Sequence, residues 1–142
     1  MSETLVCPSC QALNRVPAER LSDGPKCGKC KAELIPADPP SVSSAVLAKA
    51  IAKSTVPVVV DFWAPWCGPC RAMAPAYAQA AKALAGEAVL LKLDTDAEQT
   101  AGARHRIQSI PTVAVFKSGH EVARQPGAMP PQAIVSWVKA AL

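Results

Sequence analysis

Apolar positions set several distinct rhythms along the chain. From Val56 to Phe62 it is β-branched and nearly all apolar, the mark of a strand covered on both faces. Val89 to Leu93 predicts a second strand. Thr112 to Phe116 and Glu121 to Arg124 predict two more around Ser118-Gly119, a hairpin turn. Between them the pattern turns helical. Ser43 to Ile51 reads as a helix with Ser43 or Ser44 as its cap. Cys67 to Leu84 is alanine-rich and helical, with a kink expected at Pro75, whose ring and missing N–H disturb the preceding turn. Ala97 to Arg106 predicts a further helix, and Pro130-Pro131-Gln132 opens a last one. Strands alternating with helices and ending in a hairpin and a helix imply an α/β fold, one sheet with helices on both faces.

The two ends of this pattern are weaker. Pro40-Ser41-Val42 offers only a short edge strand ahead of the first helix. Residues 1–31 are short on apolar periodicity and hold four of the six cysteines. The proline-rich connection Ile35 to Pro40 marks a boundary, so the chain divides into residues 1–34 and residues 35–142.

Composition narrows the function classes. Half of the 142 residues are apolar and 18% are charged, enough to bury a core and against wholesale disorder. The N-terminus lacks the basic and apolar regions of a signal peptide, and no apolar run is long enough to cross a bilayer. A cytoplasmic protein with no membrane partner is expected, with monomer the default. In a reducing cytosol six cysteines argue for metal or redox chemistry rather than structural disulfides. The net charge is +4. Through Pro40, Arg15, Arg20, Lys26, Lys29 and Lys31 balance Glu3, Glu19, Asp23, Glu33 and Asp38, so the excess lies wholly beyond. A cysteine-rich end without a basic footprint argues against nucleic acid as a partner.

All six cysteines fall in C-x-x-C pairs. Cys7-Pro8-Ser9-Cys10 and Cys27-Gly28-Lys29-Cys30 are spaced as in a zinc ribbon. Each pair turns two thiolates toward one point, and two such knuckles make a closed, tetrahedral site for one structural zinc per chain. A segment this small lacks an adequate core, so the metal would supply folding free energy. The competing reading is two further redox dithiols.

The third pair, Cys67-Gly68-Pro69-Cys70, has no second knuckle to complete a metal site. A buried strand runs into it and a helix runs out, which puts Cys67 at a helix N-terminus, where orphan N–H groups and the macrodipole favour the thiolate. Cys70, one turn on, can reach the first sulfur. Gly68 leaves room for a partner backbone and Pro69 stiffens the turn. Attack by Cys67 on a target disulfide, resolved by Cys70, is the expected chemistry.

The run VDFWAPWCGPC, followed by Ser109-Ile110-Pro111-Thr112 and VAVFKSG, resembles the thioredoxin family from about Pro40 to Leu142. With the two N-terminal knuckles, the chain is similar to the zinc-bearing bacterial members. That resemblance implies a thioredoxin fold, a central mixed sheet flanked by helices, preceded by a small zinc ribbon. It implies a protein-disulfide reductase using a Cys67–Cys70 redox disulfide, re-reduced by an NADPH-dependent flavoprotein reductase. No organic cofactor is expected, since the chain shows no dinucleotide fingerprint. It further implies that Asp61 is a buried carboxylate relaying a proton from Cys70, and that Lys92 lies near it. Burial of an acid at the end of an apolar strand would raise its pKa and suit it to general-base work. Pro111 matches a cis-proline facing the dithiol, and Trp66, Ile110, Pro111, Gly127 and Ala128 match a flat surface on which target segments lie. Trp63 is expected in the core beneath. His105 and His120 lack a partner at catalytic or metal spacing, and surface or turn positions are expected for both. Two other functions stay open: a thiol oxidase or isomerase, and an interaction module in which the ribbon docks on a partner and the second domain is scaffold.

Overall fold

The β-branched run that dominates the sequence pattern becomes the central strand of the molecule, whose computed structural model describes all 142 residues. Strand β3 (Val58–Trp63) lies between β4 (Val89–Asp94), to which it is parallel, and β5 (Thr112–Lys117), to which it is antiparallel. Strand β6 (His120–Pro126) pairs antiparallel with β5 and completes the order β4-β3-β5-β6. The sheet is therefore mixed. The expected edge strand is reduced to a single parallel bridge between Ser41 and Lys92. It is held by Val42 N–H donating to the Lys92 carbonyl at 2.9 Å and Lys92 N–H donating to the Pro40 carbonyl at 2.8 Å. The β5–β6 turn is tight because Ser118 and Gly119 both take positive φ, 52° and 82°, as a two-residue hairpin turn requires.

Alternation along β3 divides its side chains between two cores. Val58, Val60 and Phe62 enter one cluster, with Leu91 and Leu93 of β4. Val59 enters the other with Leu90, Val113 and Val115, covered by Met73, Tyr77, Ala80 and Leu84 and by Ile134 and Val138. Those covering residues come from α2 (Gly68–Ala83) with its C-cap Leu84, and from α4 (Pro131–Ala141). Helix α2 continues through Pro75. The first cluster is covered by α1 (Ser44–Lys53), which buries Val46, Leu47 and Ala50 and is capped as expected by Ser43, whose Oγ accepts from Val46 N–H at 3.1 Å. Helix α3 (Gln99–Arg104) is shorter than the predicted 97–106. The Asp94 carboxylate accepts from Asp96 and Ala97 N–H at 2.9 and 3.2 Å, holding those residues in a turn before the helix starts.

Residues 1–34 contain order that the apolar pattern did not show. Strands β1 (Ser2–Val6) and β2 (Leu13–Pro17) form an antiparallel hairpin. Its apolar residues do not make a separate core: Leu5, Val6, Val16, Leu21 and Leu34 join the same cluster as Leu47 and Phe62. Two hydrogen bonds lock the seam. Thr4 N–H donates to Thr55 Oγ1 at 2.7 Å, and Thr55 N–H donates to the Thr4 carbonyl at 3.0 Å.

His105 lies in a turn, one of the positions expected for it, but its ring is packed. It is half-buried at the C-cap of α3, with its ring 5.7 Å from that of Phe62 and 5.2 Å from that of Phe116. Burial holds its imidazole below the usual range. His120 lies exposed at the start of β6.

Candidate active site and metal centre

Strand β3 delivers the chain to the reactive pair. After Trp63 and the buried Ala64, residues Pro65 and Trp66 are exposed, and Cys67 caps α2. Its Sγ accepts from Cys70 N–H at 3.2 Å, one of the orphan donors of a helix start. Cys67 and Cys70 form a disulfide, with their Cα atoms 5.2 Å apart. Both are nearly covered, at 4% and 2% exposure, while Gly68 and Pro69 between them lie open.

Across from the disulfide stands the loop before β5. The Ile110–Pro111 peptide is cis, and the Ile110 carbonyl oxygen lies 3.8 Å from Cys67 Sγ. The Pro111 carbonyl accepts from Gly127 N–H at 2.8 Å. Gly127 has φ 93°, which suits glycine, and leads to the exposed Ala128. Trp66 is 66% exposed. Its indole N–H donates to Asp96 Oδ2 at 2.7 Å, which fixes the plane of a ring that packing leaves free. The sequence did not single out Asp96. The turn-forming character of Asp94-Thr95-Asp96 is visible there, but its partner Trp66 lies 30 residues away.

Alternation puts Asp61, Trp63 and Lys92 on the sheet face of Val59 and Leu90, the face that α2 and its buried Cys70 cover. Asp61 is fully buried and neither carboxylate oxygen has a hydrogen-bond partner. Burial pushes its carboxyl up to about 7, against the charge of Lys92, which pulls it down. Trp63 is half-buried rather than enclosed, packed against Ala64, Cys67 and Cys70, with Lys92 Nζ 4.4 Å from its ring centroid. Tyr77 donates to the Leu91 carbonyl at 2.7 Å, and its phenol is held well above the ordinary range by burial and then by the charge of Asp61.

The other four cysteines converge at the tip of the N-terminal hairpin. All four sulfurs lie within 4.8 Å of one another; Cys7 and Cys30 are 3.5 Å apart and Cys10 and Cys27 3.7 Å. A tetrahedral zinc with bonds of about 2.3 Å would place its sulfurs about 3.8 Å apart, so the donor set fits. Backbone N–H groups also point at the sulfurs, as thiolate charge requires. Ser9 and Cys10 each donate to Cys7 Sγ at 3.4 Å, and Lys29 donates to Cys27 Sγ at 3.4 Å. Asn14, which sequence reasoning passed over, links the two knuckles. Its Nδ2 donates to Cys27 Sγ at 3.4 Å and to the Ala12 carbonyl at 3.2 Å, while its Oδ1 accepts from Gly28 N–H at 2.9 Å.

A reactive disulfide at a helix start, faced by a cis-proline loop on a mixed sheet, defines a thiol–disulfide oxidoreductase, here joined to a four-cysteine metal-binding ribbon. The family model described as thioredoxin matches residues 39–140, and the one described as thioredoxin 2, N-terminal, matches residues 6–32. The chain belongs to the thioredoxin family. It is 40% identical to thioredoxin C-3 of Corynebacterium nephridii over 134 residues, 94% of this chain and 92% of that one. It is 39% identical to a thioredoxin of Synechocystis over 100 residues, 70% of this chain and 94% of that one. Among solved structures it resembles chloroplastic thioredoxin z, with a TM-score of 0.67 and 29% identity, covering 73% of this chain and 94% of the other. The chain is thus a protein-disulfide reductase acting by dithiol–disulfide exchange. No helix is long and apolar enough to cross a membrane.

Proposed function

We propose that Cys67 is the attacking and Cys70 the resolving sulfur of this exchange. In the reduced protein the Cys67 thiolate, favoured by the N–H groups at the start of α2, attacks one sulfur of a target disulfide. That bond breaks, the other target sulfur leaves as a thiolate, and Cys67 is left in a mixed disulfide. Cys70 then gives up its proton and attacks Cys67 Sγ, expelling the second target thiolate and forming the Cys67–Cys70 disulfide. Two electrons pass to the target, whose thiolates are protonated. A carboxylate that burial holds at about 7 on the face that α2 covers makes Asp61 the base for the Cys70 proton. Lys92 tunes that carboxylate through its charge. The extended target segment lies over Trp66, Gly68, Pro69, Ile110, Pro111, Gly127 and Ala128.

The dithiol is restored by an NADPH-dependent flavoprotein thioredoxin reductase, and the chain works as a monomer in the cytoplasm. Cys7, Cys10, Cys27 and Cys30 hold one structural zinc. Residues 1–34 are the metal segment and residues 35–142 the redox domain, with separate chemistry and a shared core. The single observation that carries the redox assignment is the disulfide at the start of α2 beside the Ile110 carbonyl. Insulin-disulfide reduction by the full chain, coupled to NADPH through a thioredoxin reductase, tests it. Turnover is expected from the wild type and none from Cys67→Ser; equal turnover by both would refute the assignment.

A further inference from the structure

The docking surface is not symmetric in charge. On the Trp66 side stands Asp96, bonded to the indole. Elsewhere along this surface, a recess of about 280 Å³ is lined by Arg106, Gln108, Ser109, Thr112, Arg124 and Pro126, with no apolar side chain other than proline and no carboxylate among them. The recess adjoins the docking surface. Ser109 precedes Ile110, whose carbonyl faces Cys67, and Pro126 pairs with Thr112 in the sheet and precedes Gly127.

The charges in this recess differ in availability. Arg124 is committed: Nε and Nη2 donate to the Glu121 carboxylate at 2.9 and 2.8 Å, Nη1 donates to the Arg106 carbonyl at 3.2 Å, and Nη2 also donates to the His105 carbonyl. Its charge is thereby largely offset by Glu121. The clamp on the two carbonyls fixes the turn at Arg106, which holds a left-handed backbone at φ 52°. The Arg106 guanidinium belongs to neither ion pair of the chain and is exposed. Arg106, Gln108 and Ser109 are thus side-chain donors on a braced loop at the edge of the docking surface.

We propose that this recess receives an acidic side chain flanking the target's disulfide, so that the reductase favours targets with Glu or Asp beside the scissile bond. The proposal rests on the disulfide-reductase reading and deepens it. The carboxylate would pair with Arg106 and take further hydrogen bonds from Gln108 and Ser109, while Arg124 braces the loop that presents them. An exposed contact of this kind sets encounter and orientation more than binding strength, and it is screened by salt.

The test uses three short synthetic peptides, each closed by one internal disulfide and flanked on both sides by Glu, Gln or Lys. The rate constant for their reduction by the reduced full chain is measured at low ionic strength. The Glu peptide should be reduced about threefold to fivefold faster than the Lys peptide, with Gln between them. In Arg106→Gly, which suits the left-handed backbone and removes the charge, the ratio should fall toward one; Arg106→Lys should keep most of it. About 0.5 M salt should also flatten the wild-type ratio. Equal Glu and Lys rates in the wild type would overturn the proposal, as would a preference that survives Arg106→Gly. Reduction of none of the three peptides would instead overturn the disulfide-reductase reading beneath it.

Discussion

Asp61 and Lys92 are direct neighbours across parallel strands, yet they do not form an ion pair: the Lys92 ammonium sits over the Trp63 ring, and both Asp61 oxygens are left without a partner. The carboxylate therefore bears its desolvation cost largely uncompensated, which is why its pKa rises to about 7.

The sign of the resulting stability change follows from linkage. The folded state holds the Asp61 proton more tightly than the unfolded chain, so stability falls as pH rises from about 4 to about 7, and the penalty persists above that. Asp61→Asn, which keeps the shape and loses the charge, should be more stable than wild type at neutral pH. Its advantage should grow by about 2–3 kcal/mol between about pH 5 and about pH 9. Denaturant midpoints of the oxidised proteins at the two pH values check this. The same variant should slow resolution by Cys70 in single-turnover reduction. A destabilised Asp61→Asn with an intact rate would make Asp61 a structural partner instead of the base.

Asp96→Ala removes the acceptor that orients the Trp66 indole. A hydrogen bond to a charged acceptor on an exposed ring contributes about 1 kcal/mol. KM for a protein disulfide should rise about threefold to tenfold with kcat little changed. A fall in kcat at constant KM would place Asp96 in the chemistry and not in the platform.

Asn14→Ala strips a hydrogen bond from Cys27 Sγ and leaves Gly28 N–H without its acceptor. Outer-shell partners of this kind commonly change metal affinity by about 10-fold to 100-fold. Competition with a chromophoric chelator should show a loss in that range. Unchanged affinity would reduce Asn14 to a turn residue.

Metal removal reaches beyond the ribbon, because Cys7 and Cys27 are buried in the cluster that contains Leu47 and Phe62. A chelator should lower the thermal midpoint of the whole chain in one transition. Thiol counting on the reduced native protein should find Cys67 and Cys70 reactive and the other four protected until the chelator is added. A redox domain whose unfolding ignored the chelator would show that the hairpin contributes little to that core.

Much of this fold was legible because its strands are long apolar runs and its helices carry caps or proline signals. Val58–Trp63 and the hairpin at Ser118-Gly119 fell close to where the pattern put them. The N-terminal hairpin was not legible. Strands β1 and β2 are five residues each and bury only a few side chains between them, Leu5, Val6 and Val16, too few for a period to emerge. What tells of their place is the apolar side of α1, which needs a cover. The packing of His105 was missed for a related reason: spacing tests for metal and catalytic partners, and its ring neighbours are Phe62 and Phe116, 43 and 11 positions away. Asn14, Asp96 and Arg124 act through contacts with residues distant in sequence, which single-chain patterns do not encode.

The division of labour between the two sulfurs is tested most directly by incubating reduced Cys70→Ser with a disulfide-bonded protein and mapping the covalent product by mass spectrometry. Removing the resolving sulfur should leave the first step intact and block the second. The expected result is a stable mixed disulfide on Cys67, absent from Cys67→Ser. An adduct on Cys70 in Cys67→Ser, with none on Cys67 in Cys70→Ser, would contradict the assignment of Cys67 as the attacking sulfur.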